Sequence, residues 1–204
     1  MITTEEARRY YDGHDAAHDF DHVLRVLALA ERIGQTEGAD MEVVRAAALL
    51  HDVGRGQQER TGRSHAELGS EQARQILTGV SEEIVEAICH AIAAHRFRGD
   101  IVPQTLEAKV LYDADKLDSM GAVGIARVYL YGGGRGQRLW GDALTGFVAS
   151  EESEAYTPVH EFVSKLARLQ DTLHTEAARK IGLERHAYMV EFFQRLEREV
   201  CGHL

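Results

Sequence analysis

The chain has 204 residues, of which 44% are hydrophobic, and its formal net charge is −10. This length favours one compact domain. No apolar stretch approaches the ~20 residues that span a bilayer, and no signal-peptide pattern opens the chain, so we expect a cytoplasmic protein with no membrane partner. The acidic charge argues against binding of duplex nucleic acid, and a small anionic substrate would need a local cluster of positive charge.

The composition and the spacing of the apolar residues predict an all-α fold. Ala, Leu, Glu and Arg are frequent, there are only two prolines, and runs that alternate apolar and polar residues are scarce. Periodicity and capping residues predict helices in this order: about residues 3–12; from Asp19 or Asp21 to Gly34 or Gly38; one capped by Asp40; two that start at Ser64 and Ser81; about 104–112; one near Ser119; and about 157–173 and 175–200.

The sequence "LLHDVGRG" at residues 49–56 delivers an adjacent histidine and aspartate to the end of the third predicted helix. That helix is apolar around nearly its whole circumference from Val43 to Leu50, so it should lie in the core. Neighbouring residues point about 100° apart on a regular helix, but a fraying helix end lets His51 and Asp52 turn toward one ion. A buried aspartate also needs a cation or a hydrogen-bond donor.

His22 and Asp115 can complete a metal site with the pair at 51 and 52. His22 lies early in the second predicted helix, and Asp115 lies in "YDADKLD". Two imidazoles and two carboxylates suit a divalent ion such as Mn, Fe, Co, Ni or Zn, whereas Mg is less suited to nitrogen ligands. We therefore predict a divalent metal ion as the cofactor, with manganese as the first choice.

Five segments of the sequence resemble a bacterial subgroup of small stand-alone HD-domain metal-dependent phosphohydrolases. The order His22, "HD" at 51–52 and Asp115 matches the H…HD…D pattern of that superfamily. The matching segments are "HDFDHVLRV" (18–26), "LLHDVGR" (49–55), "CHAIAAHRF" (89–97), "LEAKVLYDADKLDSMGAVGIARV" (106–128) and "HTEAARKIGLERHAYMVEFF" (174–193). The resemblance implies an all-helical HD-domain bundle in which the same four residues bind the metal.

The resemblance also implies an activity on a small phosphorylated substrate, which we expect to be a nucleotide. Members of the subgroup are taken to hydrolyse nucleoside or deoxynucleoside triphosphates, releasing pyrophosphate, and we expect a metal-activated water to attack the phosphate. Three alternatives remain open at this point. They are a phosphodiesterase, a phosphomonoesterase acting on another small ester, and a non-catalytic nucleotide-binding sensor module.

Four residues are predicted to take part in the reaction itself. Arg55 follows the HD pair by three residues, where some nucleotidases of the superfamily place a catalytic glutamate, so we expect Arg55 to bind phosphate instead. Lys116 is expected to neutralise another phosphate oxygen. Either Asp52 or His95 could accept the proton of the attacking water, and the sequence does not choose between them.

Further histidines are candidates for contact with the substrate. In related HD enzymes, extra histidines from the corresponding regions contact phosphate or a second metal, which points to His65, His90 and His95. His90 and His95 would lie about 140° apart on an ideal helix, so both cannot easily bind one ion. His18 either shares a helix face with His22 near the substrate or caps the second helix.

The remaining predictions concern the organisation of the chain. Residues 132–156 contain "GGGRG" without the GK[ST] that follows in a phosphate-binding loop, so we expect a loop or lid over the site. We expect a single domain over residues 1–204, with a metal-binding core of about 18–130 and C-terminal helices of about 157–200 packed on it. The apolar faces of those helices either form a homodimer or are internal.

Overall fold

A computed structural model describes residues 1–11, 20–97, 99–141, 143, 149–150 and 153–204, without the side chain of Glu59. No β-strand occurs among these residues, which confirms the predicted all-α fold. None of the helices in these ranges combines the length and the hydropathy of a membrane span. The elements are α1 (Thr4–Arg8), α2 (Phe20–Glu37), α3 (Met41–Leu50), α4 (Arg55–Thr61), α5 (His65–Ile76), α6 (Glu82–Ala93), α7 (Leu106–Asp118), α8 (Gly121–Gly134), α9 (Pro158–Ser164), a 3-10 helix (Leu166–Thr172) and α10 (Glu176–Val200).

The chain separates into two compact units. The first consists of Met1–Lys116 and His174–Ala178, and the second consists of Leu117–Leu173 and Arg179–Leu204. The first unit therefore contains α1 to α6 and nearly all of α7, while α8, α9 and the 3-10 helix lie in the second. The expected single domain, with a core of about 18–130 covered by C-terminal helices of about 157–200, stays a prediction.

Helix α3 is the central element of the first unit. Its residues from Val43 to Leu50 are buried except Arg45, and it packs against α2 and α6. Asp40 caps it as predicted, because its carboxylate accepts hydrogen bonds from the backbone N–H groups of the first turn. The hydroxyl of Tyr11 donates a hydrogen bond to the Leu49 carbonyl over 2.8 Å. The last turn of α3 is therefore fixed at the point where the HD pair begins.

Several helix boundaries in the first unit differ from the prediction. Helix α1 spans only five residues, because Thr3 and Glu6 form a capping box that starts it and it ends at Arg8. Helix α2, in contrast, ends at Glu37, directly before Gly38, which was one of its two predicted ends and whose φ of 78° suits glycine. Helix α4 was not predicted, since its sequence RGQQERT carries no apolar stripe. Helix α7 extends to Asp118, beyond the expected end near residue 112.

The second unit also corrects two expectations. The helix predicted for residues 157–173 is divided at Lys165 into α9 and the 3-10 helix. Residues 132–134 of the predicted loop form the last turn of α8. Residues 142, 144–148 and 151–152 of the same stretch lie outside the described residues, so the lid stays a prediction.

Aromatic packing builds the core of the second unit. The rings of Phe162 and Phe193 stack with centroids 4.2 Å apart, and Phe193 is fully buried together with Met189. Arg127 pairs with the buried carboxylate of Asp118 over 2.8 Å.

A buried carboxylate anchors the start of α10 within the first unit. Asp113 of α7 accepts hydrogen bonds from the backbone N–H of His174 over 2.8 Å, and from both the N–H and the hydroxyl of Thr175 over 2.7 Å. Glu37 accepts another from the N–H of Ala177 over 2.7 Å. These carboxylates satisfy N–H groups at the start of α10 that have no partner within the helix.

Replacing Asp113 by alanine should destabilise the protein by about 2–4 kcal/mol, because buried N–H groups would lose a charged acceptor. Urea denaturation followed by circular dichroism measures this change in the free energy of unfolding. Asp171 is exposed, so Asp171→Ala is the control and should change stability by less than about 0.5 kcal/mol. Equal stability of the Asp113→Ala variant and the wild type would contradict the anchoring role.

Candidate metal centre

The candidate site is built from the ends of helices in the first unit. His22 lies in the first turn of α2, and His51 follows the last residue of α3. His65 is the first residue of α5, and His95 lies two residues beyond the end of α6. Asp115 comes from within α7. Since backbone groups at helix ends lack partners within the helix, they are available to hold such side chains.

The structure brings together all four residues that were predicted to bind metal. His22 Nε2 lies 3.3 Å from His51 Nε2, 3.6 Å from Asp52 Oδ2 and 3.4 Å from Asp115 Oδ1. His51 Nε2 lies 3.5 Å from Asp52 Oδ2. We call His22, His51, Asp52 and Asp115 the first cluster. Donor atoms about 2.1 Å from a shared ion lie about 3.0–3.5 Å from one another, so the spacing of the His22, His51 and Asp52 atoms fits one divalent cation, and Asp115 approaches this group through His22.

The other oxygen of Asp52 faces a second group of donors. Oδ1 lies 3.6 Å from His65 Nε2 and 3.6 Å from His95 Nε2, and these two nitrogens are 3.2 Å apart. We call Asp52, His65 and His95 the second cluster. Both clusters contain three donor atoms close enough to hold an ion. Asp52 therefore belongs to both.

Asp52 Oδ1 supports the fit of a cation to this site. The atom is buried, and among the described residues it has no hydrogen-bond partner. An unpaired carboxylate oxygen in the interior is costly unless a cation or a donor approaches it. The buried histidines around it are also suited to metal binding, because His51 Nδ1 donates to the Ala48 carbonyl over 2.8 Å and leaves Nε2 with a lone pair.

Two cationic side chains pair with the two carboxylates. Arg55 Nε donates to Asp52 Oδ2 over 2.5 Å, and Lys116 Nζ donates to Asp115 Oδ2. Burial alone would raise the pKa of both carboxyl groups, but the charges of Arg55 and Lys116 hold these pKa values well below the usual range. Asp52 and Asp115 are therefore ionised and ready to act as ligands.

His51 and His65 are neutral at the centre of the site. Burial lowers the pKa of His51 to about 4, although Asp52 opposes this shift. Burial and the charge of Arg55 lower the pKa of His65 to about 2. Neutral imidazole is the form that binds metal ions, so no proton has to leave these two rings before an ion binds at neutral pH.

Two predicted substrate contacts lie away from the clusters or outside the described residues. His90 Nε2 accepts a hydrogen bond from the backbone N–H of Gln104 over 3.1 Å, and His90 belongs to neither cluster. His18 is outside the described residues, so its proposed role stays a prediction. His65 and His95, in contrast, lie directly beside Asp52.

Comparison with known proteins agrees with this geometry. The family model of the HD domain matches residues 19–120, a range that includes every residue of both clusters. The chain belongs to the HD-domain family.

Relatives of this HD domain extend the similarity over nearly the whole chain. YpgQ of Bacillus subtilis is 37% identical over 191 residues, which cover 92% of this chain and 86% of YpgQ. The structure of YpgQ in complex with ADP matches with a TM-score of 0.73 and 31% identity, covering 97% of this chain and 98% of that one. An HD-superfamily hydrolase of Bacillus thuringiensis matches with a TM-score of 0.73 and 28% identity, covering 96% and 93% of the two chains.

A more distant similarity concerns the HD domain alone. Ribonuclease Y of Chloroflexus aurantiacus is 38% identical over 96 residues. These residues make up 47% of this chain but only 17% of the length of that ribonuclease. The similarity therefore concerns one segment of ribonuclease Y and not the whole of that protein.

Sequence reasoning missed two residues that shape this HD domain. Gln58 in α4 accepts hydrogen bonds from both the backbone and the ring of His65. A Cβ atom at Gly54 would lie 2.3 Å from the His65 carbonyl oxygen and 2.6 Å from the Gly69 backbone nitrogen. The glycine that follows the HD pair in "HDVG" was the available signal, because a glycine beside a candidate ligand often marks a close approach of two backbones.

Replacing Gly54 by alanine should therefore disturb the second cluster. The new methyl group would meet backbone atoms of α5, so we expect a loss of about 1–3 kcal/mol in stability, as for other overpacked sites. Gly56 lies in α4, where a Cβ atom would meet nothing within 4 Å, which makes Gly56→Ala the matched control. The control should be neutral or stabilised by up to about 1 kcal/mol. Thermal unfolding of both variants checks this, and equal melting temperatures would contradict it.

Proposed function

We propose that this protein is a divalent-metal-dependent phosphohydrolase that cleaves nucleoside or deoxynucleoside triphosphates to the monophosphate and pyrophosphate. One observation supports this proposal most strongly. Donor atoms of His51, Asp52 and Asp115 all lie within 3.6 Å of the Nε2 atom of His22. Mixed nitrogen and oxygen donors suit first-row divalent ions, and manganese is the ion we propose.

The first cluster would hold the metal ion. A bound divalent ion would supply an acidified water and a Lewis acid for a phosphoryl oxygen. His51 is oriented for this by its hydrogen bond to Ala48, and Asp115 by its pairing with Lys116. The second cluster lies on the other side of Asp52, where His65 and His95 would contact the substrate phosphate or a second ion.

Arg55 and Lys116 are the groups that we propose to bind the phosphates. The Arg55 side chain is about one-third exposed and can reach a ligand while its Nε remains near Asp52. Its planar guanidinium can bind two phosphate oxygens at once, whereas Lys116 acts as a point charge. The Lys116 ammonium lies 5.0 Å from the centre of the Tyr112 ring, which restricts its position. Both charges oppose the negative charge that develops on the phosphoryl oxygens.

We propose His95 as the acceptor of the proton from the attacking water. Its Nδ1 donates to the Ile92 carbonyl over 2.6 Å, so Nε2 keeps a lone pair that faces the site. Asp52 is less suited to this role, because its carboxylate is engaged by Arg55 and would also bind the metal. The sequence alone left these two residues as alternatives.

The ADP complex of YpgQ supports a nucleotide as the substrate. ADP carries the base, the sugar and two phosphates of a nucleoside triphosphate, and YpgQ matches this chain over almost its full length. A second candidate activity, the hydrolysis of phosphodiesters in RNA, is favoured by the similarity to ribonuclease Y. The net charge of −10 argues against a broad surface for RNA, so we rank this activity second.

A screen of substrates against several divalent ions tests the proposal. Purified protein is incubated with nucleoside triphosphates, nucleoside monophosphates, cyclic nucleotides and a short RNA, each with Mn, Co, Ni, Zn or Mg, and the products are resolved by chromatography. We expect a nucleoside monophosphate and pyrophosphate in equal amounts. Cleaved RNA with intact triphosphates would favour the phosphodiesterase, and tight binding of nucleotide without any product would favour a sensor module.

Replacing His51 or Asp52 by alanine should remove the metal and the activity together. Each change deletes a donor atom of the first cluster, and Asp52→Ala also deletes the residue shared with the second. Metal content by mass spectrometry and turnover of triphosphate are measured on the same preparations. His203 is exposed near the end of the chain, so His203→Ala is the control and should keep the wild-type metal content and turnover. A His51→Ala protein that turns over without metal would overturn the proposal.

Replacing Arg55 by alanine should reduce kcat by about 10²–10³-fold, which is the usual effect of removing one hydrogen-bond donor that stabilises a transition state. Arg55→Lys should recover only part of this loss, because an ammonium cannot bind two oxygens at once. Arg45 forms an exposed ion pair with Glu31, and Arg45→Ala is the control that should keep full activity. An unchanged kcat in Arg55→Ala would remove Arg55 from the mechanism.

A further inference from the structure

The Nδ1 atom of His65 has a different kind of partner from the Nδ1 atoms of His51 and His95. His51 and His95 place Nδ1 next to backbone carbonyls, at 2.8 Å and 2.6 Å, and a carbonyl can only accept. Those two Nδ1 atoms therefore carry the ring proton. His65 Nδ1 instead lies 2.6 Å from the side-chain amide of Gln58, which could present either its oxygen or its nitrogen.

The backbone of His65 decides which atom of the Gln58 amide faces the ring. The N–H of His65 lies 3.1 Å from the same Gln58 atom that contacts Nδ1. A backbone N–H can only donate, so this atom is the amide oxygen. The oxygen in turn can only accept from Nδ1. The proton of the neutral ring therefore lies on Nδ1, and Nε2 carries a lone pair.

We infer that Gln58 is a positioning residue that fixes His65 with its proton on Nδ1, so that Nε2 can donate an electron pair to a divalent cation or to a phosphate-bound proton beside Asp52. The role of Gln58 in catalysis rests on the proposed function. The position of the ring proton on His65 does not depend on it. Without the Gln58 oxygen, the Nε2–H form of His65 could donate to His95 Nε2, which lies 3.2 Å away. That form offers no lone pair to a ligand.

The tautomer can be measured without metal or substrate. Protein labelled with 15N-histidine and freed of metal gives two-dimensional proton–nitrogen spectra in which each ring shows which nitrogen carries hydrogen. We expect His65 of the wild type, assigned by its loss in His65→Asn, to carry the proton on Nδ1. In Gln58→Leu its Nε2–H form should appear, whereas Gln58→Glu keeps an oxygen acceptor and should keep the wild-type tautomer.

The same spectra contain their own control for folding. His51 and His95 take their Nδ1 partners from the backbone, so each should keep its proton on Nδ1 in Gln58→Leu if the site is intact. Gln57 is the neighbouring residue of α4, and within the described part of the chain its side chain makes no hydrogen bond; Gln57→Leu should therefore match the wild type. A wild-type His65 with its proton on Nε2 overturns the inference, even if Gln58→Leu does not fold.

Activity and metal content complete the test. Gln58→Leu should lose about 10–100-fold in kcat or in metal affinity, as is usual when the partner of a ligating histidine is removed, and Gln58→Glu should recover most of it. A changed tautomer with unchanged kcat and metal content overturns the positioning role. An inactive wild type with the expected tautomer instead contradicts the proposed function and leaves the link between Gln58 and His65 intact.

Discussion

The candidate site depends on one buried carboxylate, that of Asp52, whose residue is only 2% exposed. A charged group in that position is tolerated only when opposite charge or hydrogen-bond donors surround it. Arg55 supplies such a donor to Oδ2, while Oδ1 faces His65 and His95 at distances too long for hydrogen bonds. The two oxygens of Asp52 therefore face different sets of side chains. This division places the first and second clusters on opposite sides of one side chain, and a single substitution at Asp52 affects both.

Helix ends explain how the chain orients histidines around that carboxylate. The last carbonyls of a helix have no N–H partner within it. At the ends of α3 and α6 the protein uses such carbonyls in the same way, because His51 and His95 each donate Nδ1–H to the carbonyl three residues earlier. His65 stands at the start of a helix, where free N–H groups replace free carbonyls. It therefore needs an acceptor from elsewhere, and the unpredicted helix α4 provides it.

The sequence predicted the parts of this molecule that follow from local pattern. The all-α fold, the cap at Asp40 and the burial of α3 result from composition and periodicity, and the H…HD…D order identified the four residues of the first cluster. Helix α4 escaped prediction because it has seven residues and no apolar stripe, so its stability comes from packing on α5 rather than from its own pattern. The roles of Gln58 and Gly54 could not be predicted for a related reason. Both act through contacts with His65, and the angle at which α4 meets α5 cannot be read from spacing along the chain.

The charges in the first cluster bear on how an acidic protein could attract a phosphate. Asp52 and Asp115 are ionised, and their negative charges are matched by Arg55 and Lys116, while His51 is neutral at pH 7. The two negative and two positive charges cancel, so without a metal ion they exert little attraction on a polyphosphate in a chain of net charge −10. A divalent ion would add two positive charges at its centre and would compete with Arg55 and Lys116 for the carboxylates. The side chains of Arg55 and Lys116 would then be partly free to bind a ligand. The ion would therefore both create the positive potential and free the side chains that we propose to bind the phosphates.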